Sequence, residues 1–233
     1  MVASVDPVTR GVIALVGGNE FREGCVAMDR ALLALLPEPA RVLILPTANN
    51  EGRPDIAVQW GVRHFEALGA KAEGAMVLNR QDCQDERFLP ALRDVDLIYL
   101  AGGNPRHLLD SLRDTLVWQA IQEHWASGGM LVGSSAGAMA IAAHMRTREG
   151  GWEPALGLVP SVGVLPHHDR ASADQVARLR AALPADGVIL GVDEATACFL
   201  KDDLWHVVGP GQVTVYTAQT SARYWDGDRF ALT

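Results

Sequence analysis

The chain has 233 residues, of which 48% are hydrophobic and 21% charged, and its formal net charge is −8. This length and composition are typical of a globular protein with a sizeable core, and we expect residues 1–233 to form a single domain. The negative charge argues against sequence-independent binding to nucleic acid or to an anionic membrane surface.

The N-terminal residues lack the basic segment, apolar core and small-residue cleavage site of a secretory signal. No stretch of the sequence is apolar and long enough to cross a bilayer. We therefore expect a cytoplasmic protein. The cysteines are Cys25, Cys83 and Cys198. They are too few and too scattered for a disulfide framework or a zinc site, so we expect free thiols.

Short apolar runs alternate with amphipathic stretches along the first part of the chain. The apolar runs predict strands at 11–16, 42–45, 75–78, 97–100 and 130–132. The amphipathic stretches predict helices at 22–36, 54–68, 105–112, 116–126 and 138–144. Continuously apolar strands are typical of burial on both faces, and strands separated by helices indicate right-handed crossovers. We therefore predict an α/β fold with a doubly wound, mostly parallel sheet and helices on both faces.

The C-terminal third has a different pattern, in which short strands follow one another closely. Apolar strands are predicted at 162–165 and 188–192, followed by strands at 196–200, 205–208 and 213–216. Turn residues separate the last strands, and Asp226-Gly227 is a hairpin-type dipeptide. We predict antiparallel strands added at an edge of the sheet.

The segment 130–139 carries the most informative motif in the sequence. It runs from an apolar strand through Gly133-Ser134-Ser135-Ala136-Gly137 into a helical stretch. A serine between two glycines at this junction is typical of a nucleophile elbow, which lifts the serine hydroxyl above the sheet. The N-terminus of the next helix favours developing negative charge. Ser135 is the central residue and our candidate nucleophile; the alternative interpretation is an ordinary loop with a helix-capping serine.

An acyl-transfer site also needs an oxyanion hole. The N–H of Ala136, directly after the serine, is one candidate donor. The loop Gly102-Gly103-Asn104 follows the strand 97–100. Its glycines have no side chains, so a backbone N–H of this loop can approach a substrate closely and act as the second donor.

A serine nucleophile needs a base and an acid that orients the base. His167 and His168 follow the strand 162–165, where catalytic residues of parallel sheets gather, and we rank His167 first. Asp193 and Glu194 follow the strand 188–192, and either is a candidate acid. The order serine, histidine, acid differs from that of α/β-hydrolases, chymotrypsin and subtilisin.

These motifs together resemble peptidase family S51, which includes dipeptidase E and cyanophycinase. The residues that carry the resemblance are Gly17-Gly18, 44–48, Gly102-Gly103-Asn104, 133–138, Pro166-His167, 191–197 and 207–214. The resemblance implies a flavodoxin-like fold related to class I glutamine amidotransferases, with serine in place of their cysteine. It also implies Ser135 as nucleophile, His167 as base and Glu194 as acid, with Asp193 as a rival. Gly103 and Ala136 would form the oxyanion hole, and no cofactor or metal is implied.

The sequence departs from the cyanophycinase pattern directly after the histidine. Cyanophycinases carry several arginines there, whereas residues 167–172 read His-His-Asp-Arg-Ala-Ser and hold only Arg170. We therefore expect a small aspartyl peptide, such as an Asp-X dipeptide, cleaved through an acyl-enzyme. Candidate substrate-binding residues are Asn104, His168 and Arg170. Arg178 and Arg180 are further candidates for a carboxylate pocket, unless they form a solvated helix face.

Three alternatives stay open. One is a cyanophycinase-like hydrolase of β-Asp-Arg, and another is an α/β-hydrolase-type esterase that uses His206. The third is a non-catalytic binding module on an amidotransferase-like fold. We expect a small peptide as partner, no nucleic acid and no membrane, and a homodimer is left open. The turn-rich stretch 146–154 is a hypothetical lid.

Overall fold

The computed structural model of the protein describes residues 10–232. Residues 1–9, on which the expectation about a secretory signal partly rests, lie outside the described residues. Within residues 10–232, no helix has both the length and the apolar character needed to cross a membrane.

Strands and helices alternate as far as α7, and strands predominate after it. The strands are β1 (Ile13–Val16), β2 (Arg41–Leu45), β3 (Lys71–Gly74), β4 (Leu97–Leu100), β5 (Met130–Ser134), β6 (Ala142–Arg146), β7 (Trp152–Pro154), β8 (Val159–Pro166), β9 (Val188–Val192), β10 (Ala197–Lys201), β11 (Leu204–Val208), β12 (Gln212–Tyr216), β13 (Ser221–Trp225) and β14 (Arg229–Phe230). The helices are α1 (Val26–Leu33), α2 (Pro54–Ala67), α3 (Arg80–Cys83), α4 (Leu89–Arg93), α5 (Pro105–Leu112), α6 (Leu116–Ala126), α7 (Ala136–Ile141) and α8 (Ala173–Ala181).

The larger sheet has the strand order β14-β11-β10-β1-β5-β4-β2-β3. The five strands from β1 to β3 in this order are parallel, and β10, β11 and β14 are added antiparallel beside β1. Alternate side chains of β1 pack on opposite faces: Leu15 against the cluster of α5 and α6, and Val16 against that of α1 and α2. Burial on both faces explains why these strands are continuously apolar.

A second sheet has the order β13-β12-β9-β8-β6-β7, and its central strands β6, β8 and β9 are parallel. The predicted α/β class, the parallel core and the antiparallel C-terminal strands are confirmed. The division into two sheets is not predicted, because it depends on pairings between strands far apart in sequence. The second sheet adds apolar side chains such as Val164 and Leu190 to the core that α5 and α6 share with the larger sheet.

Two predicted elements are wrong. Residues 75–78 are not a strand; β3 precedes them, and Ala75 and Val77 are buried as irregular chain beyond its end. The predicted helix 138–144 ends at Ile141, because Ala142 turns to an extended conformation and pairs with β8. In both places tertiary packing overrides the local preference of the residues.

The end of β1 lies where the two sheets meet. Val16 pairs with Ser134 of β5, and the Ser135 N–H donates to the Val16 carbonyl at 2.9 Å. The His167 N–H, directly after β8, donates to the Gly17 carbonyl at 2.8 Å. The carboxyl ends of β5 and β8, from different sheets, are thus held against one short stretch of backbone.

The three cysteines are buried free thiols, and burial raises the pKa of Cys25 to about 12 and that of Cys83 to about 12. Because the thiolate is the reactive form, we predict that the native protein resists iodoacetamide at about pH 8, whereas all three thiols react after unfolding in denaturant. Mass spectrometry of the treated protein measures this. Fast alkylation of any cysteine in the native state would contradict the prediction.

Candidate active site

Ser135 occupies a sharp turn between β5 and α7. Its backbone has φ 47° and ψ −100°, a conformation that is rare for a residue with a side chain and typical of a strained nucleophile elbow. A Cβ atom on Gly133 would collide with the backbone of Gly137, and one on Gly137 would collide with the Leu100 carbonyl. Both glycines are therefore needed for the turn.

Ser135, His167 and Glu194 form a continuous hydrogen-bonded chain. Ser135 Oγ lies 3.0 Å from His167 Nε2, and His167 Nδ1 lies 2.6 Å from Glu194 Oε1. His167 adopts a left-handed backbone conformation, with φ 51° and ψ 39°. The pairing of Pro166 with Val192 brings His167 beside Glu194. The candidate nucleophile, base and acid are thus in mutual contact without a substrate.

Asp193, the rival acid, contacts a different histidine. Its Oδ1 lies 3.1 Å from His168 Nδ1, and its Oδ2 accepts the Gln212 N–H at 3.0 Å. His168 Nε2 reaches the Tyr216 hydroxyl at 2.8 Å. His168, predicted as a substrate contact, is half-buried in this network and links β8, β9 and β12.

Arg170, also predicted to bind substrate, contacts the acid instead. Its guanidinium lies 2.6 Å from Glu194 Oε2, on the oxygen that His167 does not use. The Glu194 N–H donates to Asp169 Oδ1 at 2.9 Å. The arginine fixes the carboxylate that faces His167, while the rest of its side chain is exposed.

The two predicted oxyanion donors lie at the ends of adjacent strands, β4 and β5. Within residues 10–232, neither the Gly103 N–H nor the Ala136 N–H has a hydrogen-bond acceptor, so both are free to bind a substrate oxygen. Gly103 has φ 144°, and a Cβ atom there would collide with the Ala48 carbonyl. Asn104 caps α5 by accepting the His107 N–H at 3.1 Å, and also lines the cleft described below.

Glu20, which the sequence analysis misses, joins the two loops. Its Oε1 accepts the Gly102 N–H at 2.7 Å and its Oε2 accepts the Ser134 hydroxyl at 2.8 Å. One carboxylate therefore fixes the residue before Gly103 and the residue before Ser135. No sequence motif marks it, because the contacts span 82 and 114 residues.

Among residues 10–232, no histidine other than His167 is hydrogen-bonded to Ser135. His206, the base of the esterase alternative, lies in β11 and stacks on Phe199 with ring centroids 4.8 Å apart. His64 pairs with buried Asp29 between α1 and α2.

A cleft of about 770 Å³ lies beside the candidate catalytic residues and not over them. Gly103 and Asn104 line it, whereas Ser135, His167 and Glu194 do not. The cleft therefore adjoins the reaction centre on the oxyanion side. Its charged lining residues are Arg106, Arg146, Arg148, Glu51, Glu149 and Glu153.

The β6–β7 hairpin covers one wall of this cleft. Contacts outside the hairpin hold β7 in place: the Trp152 indole donates to the Leu179 carbonyl at 2.9 Å, Glu153 pairs with Arg106 at 2.7 Å, and Arg113 donates to the Pro154 carbonyl at 2.7 Å. Residues 152–154 are therefore fixed, and the part of 146–154 that could move as a lid is the turn 147–151.

Residues 12–208 match the model of the Peptidase family S51. The chain belongs to peptidase family S51. It is therefore a peptidase, and the flavodoxin-like fold class implied by the sequence resemblance is confirmed.

Several S51-type proteins are similar to this chain. The cyanophycinase of Trichormus variabilis is 32% identical over 222 residues, which cover 89% of this chain and 74% of that protein. The cyanophycinase of Geminocystis herdmanii is 29% identical and covers 90% of this chain and 82% of its own length.

Two solved structures have the same fold. The structure of a peptidase from an acI-B1 Actinobacterium has a TM-score of 0.86 and 29% identity, covering 96% of this chain and 98% of that chain. The structure of a putative peptidase E protein from Listeria monocytogenes EGD-e has a TM-score of 0.65 and 20% identity, covering 87% and 100%, and shows the fold alone.

We predict that Glu20→Ala lowers kcat by about 10²-fold, because the loop of Gly103 and the elbow lose their shared anchor. Glu20→Gln should retain most of the activity, since its amide oxygen still accepts the Gly102 N–H and the Ser134 hydroxyl can accept from its amide group. Steady-state kinetics and thermal unfolding of both variants test this. Equal losses of activity in both variants would contradict the prediction.

Proposed function

We propose that the protein is a serine peptidase that hydrolyses small aspartyl peptides, above all Asp-X dipeptides, through an acyl-enzyme on Ser135. The observation that carries the proposal is the hydrogen-bonded chain from Ser135 Oγ to His167 at 3.0 Å and on to Glu194 at 2.6 Å. An exposed serine hydroxyl is a weak nucleophile by itself and becomes effective when a positioned base removes its proton.

In the proposed first step, His167 Nε2 takes the hydroxyl proton as Ser135 Oγ attacks the scissile carbonyl carbon. Glu194 holds the imidazole by Nδ1 and stabilises the imidazolium that forms. The carbonyl oxygen becomes an oxyanion and accepts the N–H groups of Gly103 and Ala136. The C–N bond then breaks as His167 returns the proton to the leaving amine.

The second step releases the acyl group. His167 takes a proton from water, and the hydroxide oxygen attacks the ester carbonyl in the same oxyanion hole. The ester bond to Ser135 breaks, and the proton passes to Oγ. These steps use only side chains and backbone of this chain and water.

The charges around the site support a short peptide with free, charged termini as substrate. Arg146 and Arg148 line the cleft beside Gly103, and neither has an ion-pair partner among residues 10–232. Guanidinium groups bind carboxylates well. Glu51 and Glu149 line the same cleft and suit the amino group of a short peptide. Such mixed charges fit a zwitterionic dipeptide.

Hydrolysis of β-Asp-Arg is the second candidate. The 32% identity to a cyanophycinase supports it, and Glu51 or Glu149 suits the arginine side chain of that dipeptide. The sequence at 168–172 argues against β-Asp-Arg as the substrate. Arg170 is the one arginine in this segment, and its guanidinium is bound to Glu194.

We predict that the wild-type protein hydrolyses Asp-X dipeptides faster than Glu-X, Ala-X or β-Asp-Arg, and that Ser135→Ala lowers kcat by at least about 10⁴-fold. Release of the free amino acids measures the rates. Ser127→Ala, at an exposed serine after α6, is the matched control and should retain full activity. Fastest cleavage of β-Asp-Arg would favour the second candidate, and activity in Ser135→Ala would contradict the mechanism.

The assignment of the acid is tested by two isosteric changes. We predict that Glu194→Gln lowers kcat by about 10³–10⁴-fold, because the amide leaves the imidazole without its ionised partner. Asp193→Asn should retain kcat within about tenfold, since Asp193 contacts His168 and not the base. Equal kcat losses, or a larger loss for Asp193→Asn, would transfer the role of acid to Asp193.

A further inference from the structure

A small depression of about 210 Å³ lies on the other side of the β6–β7 turn from the large cleft. Three of its lining residues are arginines, Arg146, Arg148 and Arg178, whereas Glu149 is its one acidic lining residue. An excess of positive charge at one point is unusual on a chain whose net charge is −8.

These arginines are available to a ligand. None of them forms an ion pair with an acidic side chain among residues 10–232. Arg148 and Arg178 are exposed, and the buried Nε of Arg146 has no hydrogen-bond acceptor. Arg178 comes from α8, whereas the other two come from the end of β6 and the turn, so two separate elements bring guanidinium groups together.

The turn that carries Arg148 follows β6, and β6 pairs in parallel with β8, the strand that ends just before His167. The turn residues Arg146 and Arg148 line both the large cleft, which contains Gly103, and the depression, which contains Ser172. Ser172 follows His167 after the short helical turn His168–Arg170. The turn therefore extends from the oxyanion loop to the segment that carries the base.

The direction of cleavage determines which part of the substrate lies on the side of His167. His167 must protonate the leaving amine, so the leaving residue lies on the side of the base. In a dipeptide that residue carries a free carboxylate close to the scissile bond. Arginine binds carboxylates through two parallel charge-assisted hydrogen bonds, a geometry that a peptide amide cannot match.

We propose that Arg146, Arg148 and Arg178 bind the free C-terminal carboxylate of the leaving residue and so restrict the enzyme to dipeptides. This rests on the proposed function for the direction of cleavage. The subsite recognises the end of the substrate, whereas the aspartyl preference concerns the other residue, so the two can be tested separately.

The test compares a dipeptide with its amide, Asp-Leu and Asp-Leu-NH₂, in wild type and in the double variant Arg148→Gln/Arg178→Gln. We expect wild type to prefer the free acid by about 10–100-fold in kcat/KM, the value of a charge-assisted interaction. The double variant should lose about tenfold or more of kcat/KM on the acid, through KM, and be unchanged on the amide. Arg93→Gln/Arg223→Gln, which removes two exposed arginines elsewhere, is the charge-matched control and should behave as wild type.

The proposed subsite is contradicted if wild type cleaves the acid and the amide equally well, or if the double variant loses both activities in equal measure.

Failure of the proposed function gives a different result. If Ala-Leu is cleaved instead of Asp-Leu, the aspartyl preference is wrong, and the subsite stands only if Ala-Leu is preferred over Ala-Leu-NH₂. If nothing is cleaved, calorimetry on Ser135→Ala decides: selective binding of either acid over its amide supports the subsite, and equal or no binding overturns it.

Discussion

The backbone at the end of β1 accepts hydrogen bonds from both halves of the reaction centre. The Val16 carbonyl takes the N–H of Ser135, from the larger sheet, and the Gly17 carbonyl takes the N–H of His167, from the second sheet. A Cβ atom on Gly17 would collide with the Asp193 carbonyl, and one on Gly18 would collide with the His167 ring. The two sheets can approach closely enough for serine and histidine to meet because these residues lack side chains.

The two sheets thus supply different parts of the chemistry. The larger sheet provides the proposed nucleophile and oxyanion donors, at the carboxyl ends of β5 and β4. The second sheet provides the proposed base and acid, at the ends of β8 and β9, and also the arginine-bearing turn after β6. The Glu20 carboxylate, which accepts hydrogen bonds from Gly102 and Ser134, fixes the loops of the larger sheet, and the contact between His168 and Asp193 fixes those of the second sheet. Asp193 is buried, whereas Glu20 and His168 are half-buried, and their hydrogen bonds help to keep the candidate site rigid before substrate arrives.

Much of the fold, and the contacts that join the residues of the candidate site, can be predicted from the sequence for identifiable reasons. Ser135 carries a local motif, and His167 and Glu194 follow apolar strands, whose ends collect catalytic groups in parallel sheets. The roles of His168 and Arg170 cannot be predicted in this way, because adjacent residues point in different directions once His167 adopts its left-handed conformation. Glu20 and the second sheet depend on contacts between distant parts of the chain. Strand β6 is missed because its start, rich in alanine, favours a helix until pairing with β8 is taken into account.

The central claim is that His167 activates Ser135 as the nucleophile, and covalent labelling tests it most directly. The native protein would be treated with a fluorophosphonate, digested and mapped by mass spectrometry, alongside a His167→Ala variant. We predict a single adduct on Ser135 that forms far more slowly in the variant. An adduct on another residue, no adduct in the wild-type protein, or labelling at the same rate without His167 would contradict it.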